Sequence, residues 1–481
     1  MVRLLSLMMM LLSVSAEAAG SKAYSTQTMD TGLTLVGFES HKVPLVTIVL
    51  AAKAGAMTET ADSNGLTHLW EHMFFKGNQR LPNQEAFNKR IRQLGITYNG
   101  DTSAEKVRYF ITLPSVYLEE GLQFMADAIA TPLLEQSEME RERRVVLNEY
   151  ERNAAQPAFD FMNLQRNMIY GPLGYRRDPL GLAPIISNAT REQLLRIKDQ
   201  VFVPANCALL VGGDFVPADL AKLAKKHFAN WRTPEGWKPL QPPAFPHFPA
   251  TTSFVMTRPI VQNVRIQSTF DGPKVRQQPK ETYPLDVLAN LLAHRGGKFY
   301  QKFVDSGLAF EAGFSYYTQS QAGEIDVYAT AAPKRAKEVQ KKLLAEIKEW
   351  VKPGYFNAAQ LVDVKRKMTI HRKREQNSPT EFIKELAFWW AVTGLDYYDS
   401  YLTNIDKVKL KDVQASVKTW VLNAPHLDSV LLSPEDARAV GLKDTSPPLA
   451  KKYLEMYKGP ATKELPAATA PENSASPASP G

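Results

Sequence analysis

The chain has 481 residues, 44% of them hydrophobic and 22% charged, which suits a globular protein of two domains and excludes disordered, collagen-like and coiled-coil classes. The formal charge of +8 is spread through mixed runs such as R-E-R-R and K-R-K-R-E, so it marks a mildly basic surface open to acidic peptides and gives no reason to expect nucleic acid. The single cysteine, Cys207, excludes an intramolecular disulfide and is expected to be a buried thiol.

Residues 1–18 combine a basic start, an apolar run and small residues before Ala19, and they predict a secretory signal that is removed. The apolar run is shorter than the roughly 20 residues a membrane span needs, and no later run is longer, so the mature chain is expected to be exported without an anchor. V-P-L-V-T-I-V-L-A-A from Val43 reads as a strand. A helix is then predicted after a cap at Asn64, ending at Gly77, and it carries T-H-L-W-E-H-M-F-F from Thr67 to Phe75. At 100° per residue His68, Glu71 and His72 share an arc of about 100°, with the two imidazoles one turn apart. Two nitrogens so placed can share a cation, and zinc in catalytic sites takes three protein ligands. A helix with incidental polar residues would show the same five letters, so the third ligand must be found elsewhere.

Asn99, just before Gly100, reads as a turn residue. V-Y-L-E-E-G-L-Q-F-M-A-D-A-I-A from Val116 has helical period. In S-E-M-E-R-E-R-R-V-V-L-N-E-Y-E-R, Ser137 and Glu140 give a capping-box signal for another helix. Glu142 and Glu149 lie seven residues apart on one face of it. By itself the run is a charged surface helix, but Glu149, 77 positions after His72, is the best third ligand available.

I-K-D-Q-V-F-V-P-A-N-C-A-L-L-V from Ile197 and V-K-T-W-V-L-N-A-P-H-L-D-S-V-L-L from Val417, 220 positions later, each read as a helix end, a turn and an apolar strand, a hint of internal duplication. The predicted class is α+β, with a first domain over 19–236, a Pro-rich linker over 237–252, a second domain over 253–444 and a disordered tail over 445–481. The aromatic run Phe388–Trp390 sits on a predicted helix and reads as core. His41, His227, His247, His294, His371 and His426 show no ligand spacing.

Together, H-L-W-E-H, M-F-F-K-G and, with 76 residues intervening after His72, Glu149 in V-V-L-N-E-Y-E-R resemble the inverted-zinc-motif metallopeptidases of the pitrilysin or insulinase family. I-T-Y-N-G-D-T-S-A-E-K-V-R-Y-F, Y-G-P-L-G-Y-R-R-D-P-L-G and V-P-A-N-C-A-L-L-V-G-G-D-F are similar to further family segments. The resemblance implies two related domains, each a mostly antiparallel sheet packed with helices, the first holding zinc and the second not. It makes His68, His72 and Glu149 the Zn2+ ligands, Glu71 the general base, and Glu142 an acidic partner for a ligating imidazole. Peptide substrates would add as a strand to the Ile96–Asp101 edge, with Asn99 on their backbone. It also favours the periplasm over secretion, and it keeps open the alternative of a non-catalytic assembly or peptide-binding subunit, although all four metal and base positions are intact.

One family feature is missing. The second domain usually carries an arginine and a tyrosine seven residues apart that reach the substrate carbonyl; here Phe310 stands at the tyrosine position and Phe303 or Val304 at the arginine. Tyr316, Tyr317 or Lys298 could substitute, the enzyme could be slow, or a zinc-less homologous subunit could supply the pair in a heterodimer, the reading preferred here.

Overall fold

The computed structural model describes residues 23–171, 174–240 and 250–447. The expected signal over 1–18, the linker residues 241–249 and the tail from 448 lie outside the described residues.

The first sheet contains β1 (Ser25–Thr28), β2 (Thr34–Glu39), β3 (Leu45–Ala52), β4 (Thr97–Thr102), β5 (Val107–Pro114) and β6 (Cys207–Gly213), in the order β1-β2-β6-β3-β5-β4. The second contains β7 (Thr252–Thr257), β8 (Val264–Asp271), β9 (Glu311–Thr318), β10 (Gly323–Ala331) and β11 (His426–Leu432), in the order β7-β11-β8-β10-β9. Leaving aside β1, the two orders are the same, and the parallel pairs β2/β6 and β7/β11 fall at the same place in each. The paired segments from Ile197 and Val417 supply β6 and β11, the strands in equivalent positions, so the short likeness between them marks a repeat of the whole α+β unit.

Five helices of the first half matter for the site: α1 (Leu66–Phe74), α2 (Gln84–Leu94), α3 (Leu118–Ala130), α4 (Gln136–Ala154) and α5 (Pro157–Tyr170). β3 reads as an almost unbroken apolar run because both its faces are covered. Val46, Ile48 and Leu50 join Trp70 and Phe74 of α1 and Leu122 of α3 in one cluster. Val49 and Ala51, on the other face, pack with Phe382, Ile383 and Leu386 of the helix Pro379–Val392, which belongs to the second half of the chain. The exchange is mutual: Phe161, Leu164 and Ile169 of α5 pack on Phe254, Leu427 and Leu431 of the second sheet. Hydrogen bonds of 2.7 Å fix both crossings, Gln165 to Ser429 and between the hydroxyls of Thr47 and Thr380. Trp390, from the aromatic run, is buried in the first of these crossings.

Two local readings need correction. The signal at Ser137 and Glu140 marks the right helix but not its cap: α4 starts at Gln136, after Glu135, and no side chain caps it. The tail, expected to be disordered from Thr445, begins on the free edge of β7, where Thr445 and Val255 exchange hydrogen bonds and Asp444 accepts from the Thr257 amide.

In the second half the helix Pro279–Leu292 follows β8 as α1 follows β3, and it carries Asp286 rather than histidines. The Tyr401 hydroxyl donates to Asp286 at 2.8 Å, and burial pushes this carboxyl up to about 7 from its ordinary 3.8. A carboxyl whose folded value is raised favours the folded state fully at low pH and loses that contribution as pH climbs toward 7. Asp286→Asn keeps an acceptor for Tyr401, so it is expected to leave stability unchanged near pH 4 and to raise it at pH 8, by at most about 4 kcal/mol. Urea denaturation at the two pH values reads this; a variant less stable at both would disprove it.

Candidate metal centre

α1 is built without a side-chain cap of its own. The expected cap, Asn64, is displaced by Gly65, which takes the left-handed φ of 98° at the helix start. The free amides there are satisfied from outside: Glu59 accepts from Gly65 N at 2.9 Å and from Thr67 N at 2.8 Å. A carboxylate at the positive end of a helix serves both as cap and as charge partner. Asn64 ties this arrangement down, donating to Glu59 at 2.9 Å and to the Asp178 carbonyl at 3.0 Å. The start of α1 is pressed against the loop at Gly181, where a Cβ on either glycine would come within 2.6 Å of the other's Cα.

From this fixed start, α1 presents His68 and His72 side by side, ring centroids 4.8 Å apart and planes perpendicular. α4 crosses beneath them and brings Glu149 Oε2 to 3.8 Å from His68 Nε2 and 3.6 Å from His72 Nε2. The three ligand atoms lie within 4.8 Å of one another, one mutual cluster of two nitrogens and a carboxylate oxygen. Glu142, also on α4, accepts from His72 Nδ1 at 3.0 Å and from Lys76 at 2.8 Å. That bond keeps the Nδ1 proton on the Glu142 side and turns Nε2 toward Glu149, so that giving up the Nε2 proton would leave the tautomer a metal ligand requires.

The electrostatics agree with this division of roles. Burial, then the neighbouring His72, pulls His68 down to about 4, so it is a neutral imidazole. Burial also acts to lower His72, but its bonds to Glu142 and Glu149 outweigh it and hold the ring up to about 9. Glu149 is held low, chiefly by His72. The pocket is therefore a place that already favours positive charge between two histidines and a carboxylate. The donor set suits zinc, which takes imidazole nitrogens and a carboxylate oxygen in three-ligand sites.

Glu71 points to the other side of the pair, toward β4. Burial pushes its carboxyl up to about 7. Thr102 donates to it at 2.6 Å, and Gly100 leaves the room it occupies, since a Cβ there would sit 2.7 Å from Glu71 Oε1. Thr102→Val is expected to lower turnover about tenfold with little change in KM, while Thr102→Ser keeps near-normal turnover. Steady-state kinetics on a peptide checks this, and equal losses in both variants would remove Thr102 from the role of holding Glu71.

β4 runs over Thr97–Thr102, one residue later than the expected Ile96–Asp101, and is the free edge of its sheet. Asn99 is exposed there and accepts from Gly100 N at 2.9 Å. A cavity of about 620 Å³ lies between α1, α4 and this edge, and its walls include His68, Glu71, His72, Asn99, Glu142 and Glu149. Asp178, Pro179 and Leu180 form its lip, held by Arg166 of α5 through Asp178.

Every lining residue among those described comes from the first half. Phe310 is exposed and Phe303 fully buried, neither in the cavity. The proposed substitutes are engaged elsewhere: Tyr316 donates to the Pro273 carbonyl at 2.7 Å, Lys298 to the Gly354 carbonyl at 2.8 Å, and Tyr317 also lies outside the lining. Glu59, Thr102, Lys76 and Arg166 are the supporting residues that sequence reasoning did not find. Glu59 carried no usable signal, since it stands six residues before the glycine on which α1 starts.

Comparison with known proteins gives the same picture at the level of sequence and fold. Residues 35–176 match the family described as insulinase (peptidase family M16), and residues 188–368 match the peptidase M16 inactive domain. The chain is 26% identical to the zinc protease PqqE of Helicobacter pylori, over 86% of this chain and 91% of that one. It is 29% identical to the probable mitochondrial-processing peptidase subunit beta of Schizosaccharomyces pombe, over 43% of this chain and 45% of that one. Among solved structures, a protease from Helicobacter pylori superposes with a TM-score of 0.78 at 22% identity, covering 85% of this chain and 99% of that one. The periplasmic protease PqqL of Escherichia coli superposes with a TM-score of 0.73 at 18% identity, covering 95% of this chain but 52% of that one.

Proposed function

The chain belongs to the insulinase family of zinc metallopeptidases (peptidase family M16), and within it we propose an exported metalloendopeptidase that hydrolyses unfolded or short peptides and works as the catalytic subunit of a heterodimer. The observation that carries the catalytic reading is the mutual cluster of His68, His72 and Glu149 with Glu71 beside it on the same helix. Those three residues would hold the zinc, which when bound supplies Lewis-acid activation of water and carbonyl. The chain's own residues do the rest. Glu142 keeps His72 in its ligand tautomer; Glu71, braced by Thr102, takes the proton of the attacking water and returns it to the departing amine. Asn99 and the free edge of β4 offer main-chain partners to an extended peptide, which suits loose sequence preference.

Two observations support a partner chain. The cavity is walled by the first half alone, with no arginine or tyrosine of the second half reaching it among the described residues. The chain also matches only half the length of PqqL, and the mitochondrial relative is described as a subunit. A stabilising donor to the developing oxyanion, usually worth several kcal/mol, would then come from the partner. The purified chain, assayed on an unstructured peptide with and without a zinc-less homologue of the same organism, is expected to gain at least about tenfold from the addition. Full activity alone, with no gain, would sink the heterodimer while leaving the peptidase reading standing. Export to the periplasm rests on residues 1–18, with the periplasmic PqqL as a further support; cell fractionation tests it, and retention in the cytoplasm would refute it.

A further inference from the structure

A second cavity, of about 240 Å³, lies on the seam between the two halves, and none of the three metal-ligand candidates lines it. Lys53, Thr58 and Asn206 face it from the first half, and Arg276, Ser320 and Gln321 from the second. Two cations thus approach each other from opposite sides of the seam. Neither has a carboxylate within 4.0 Å among the described residues. Arg276 is partly engaged, donating from Nε and Nη2 to the Val392 and Ala391 carbonyls at 2.9 and 2.7 Å, where it caps the exchanged helix Pro379–Val392. Lys53 has no such bond: its ammonium lies 4.6 Å from the centre of the Trp390 ring, and no hydrogen bond or ion pair to it is formed among the described residues. The one carboxylate in the lining, Glu105, lies near enough to Arg276 to feel its charge but makes its hydrogen bonds elsewhere, accepting from Ser320 N at 3.0 Å and from the Ser320 and Tyr175 hydroxyls.

We propose that this seam cavity binds a small oxyanion, of the phosphate or carboxylate class, between Lys53 and Arg276. Lys53 is partly exposed, and its ammonium offers three donors that no acceptor of the chain fills among the described residues, a modest cost that an anion recovers. The repulsion between the two cations adds to that cost; burial and then Arg276 both pull the Lys53 ammonium below its ordinary pKa. An oxyanion is the ligand that relieves both terms, with Ser320, Thr58 and Gln321 as further polar neighbours. Helix-end attraction accounts for Arg276 alone, because Lys53 reaches no carbonyl. Since the ligands come from both halves, an anion here would hold the halves together.

The test uses the full chain. Thermal melts are recorded across a series of inorganic phosphate, and separately of succinate, against sodium chloride at matched ionic strength. The expected result is a saturable rise in Tm with at least one of the two anions beyond that with chloride. In Lys53→Met the midpoint of that response moves at least tenfold higher, while Lys53→Arg keeps it. As a second reading that needs no variant, the same anion slows acetylation of Lys53 in the wild-type chain at least fivefold, followed by peptide mass spectrometry. An equal rise in chloride, an unchanged response in Lys53→Met, or Lys53 acetylation at the same rate with and without the anion would each overturn the proposal. None of these outcomes depends on zinc or on peptidase activity.

Discussion

Glu71→Gln is expected to bind zinc as the wild type does and to lose peptide hydrolysis by about 10²- to 10⁴-fold, the usual contribution of a positioned general base. The substitution is close to isosteric, and the amide can still accept from Thr102, so the packing against Gly100 and the helix that carries His68 and His72 are undisturbed. What it removes is the proton acceptor. Metal analysis and single-turnover hydrolysis on the same preparation check both halves of the statement. Zinc present with hydrolysis undiminished would show that another group is the base; no hydrolysis in wild type or variant, with or without a partner, would leave a peptide-binding role for the fold.

Glu149→Ala is expected to abolish activity by a different route, through loss of the metal. Glu149 Oε2 is the oxygen that closes the cluster with both imidazoles, and without it two nitrogens on one helix turn remain. Affinity for zinc should fall by more than the roughly 10- to 100-fold that follows loss of a residue acting behind a ligand. Glu142→Gln is the control for that milder class, because Glu142 touches His72 only at the nitrogen facing away from Glu149. Competition with a chromogenic chelator separates the two variants, and equal zinc affinities would remove Glu149 from the ligand set. Glu149 is partly exposed, so the fold should tolerate the change.

The contrast between these residues and the rest of the site shows where sequence reasoning reaches. His68, Glu71 and His72 share one helical turn, and helical period alone placed them on one side of α1. Glu142 and Glu149 follow from the same period on α4, and the spacing between the two helices came from a family resemblance rather than from any local rule. The residues that escaped notice act across the fold. Glu59 was invisible because a carboxylate six residues before a helix can point anywhere until the intervening loop is known. Thr102 and Gly100 matter to Glu71 only once β4 lies against α1. The capping-box reading at Ser137 failed for a local reason: the chain enters α4 through Leu134 at a φ of 52° and extended Glu135, which starts the helix one residue before Ser137. The segment around Phe388–Trp390 was legible as an apolar helix, yet nothing in it announced that it would cover the other half's sheet.

That covering has a consequence for how the protein is made. The outer face of the first sheet, with Val36, Phe38, Val49, Ala51 and Leu210, receives its lid only when residues 379–392 exist, long after the last strand of that sheet has been synthesised. At 5–20 residues per second the delay is on the order of ten to thirty seconds. During that time the half that carries the metal ligands has a bare apolar sheet, the kind of surface that draws chains into aggregates. The nascent protein is therefore a natural client for a holding chaperone, and a stop codon anywhere before Pro379 should yield aggregated protein rather than a smaller enzyme.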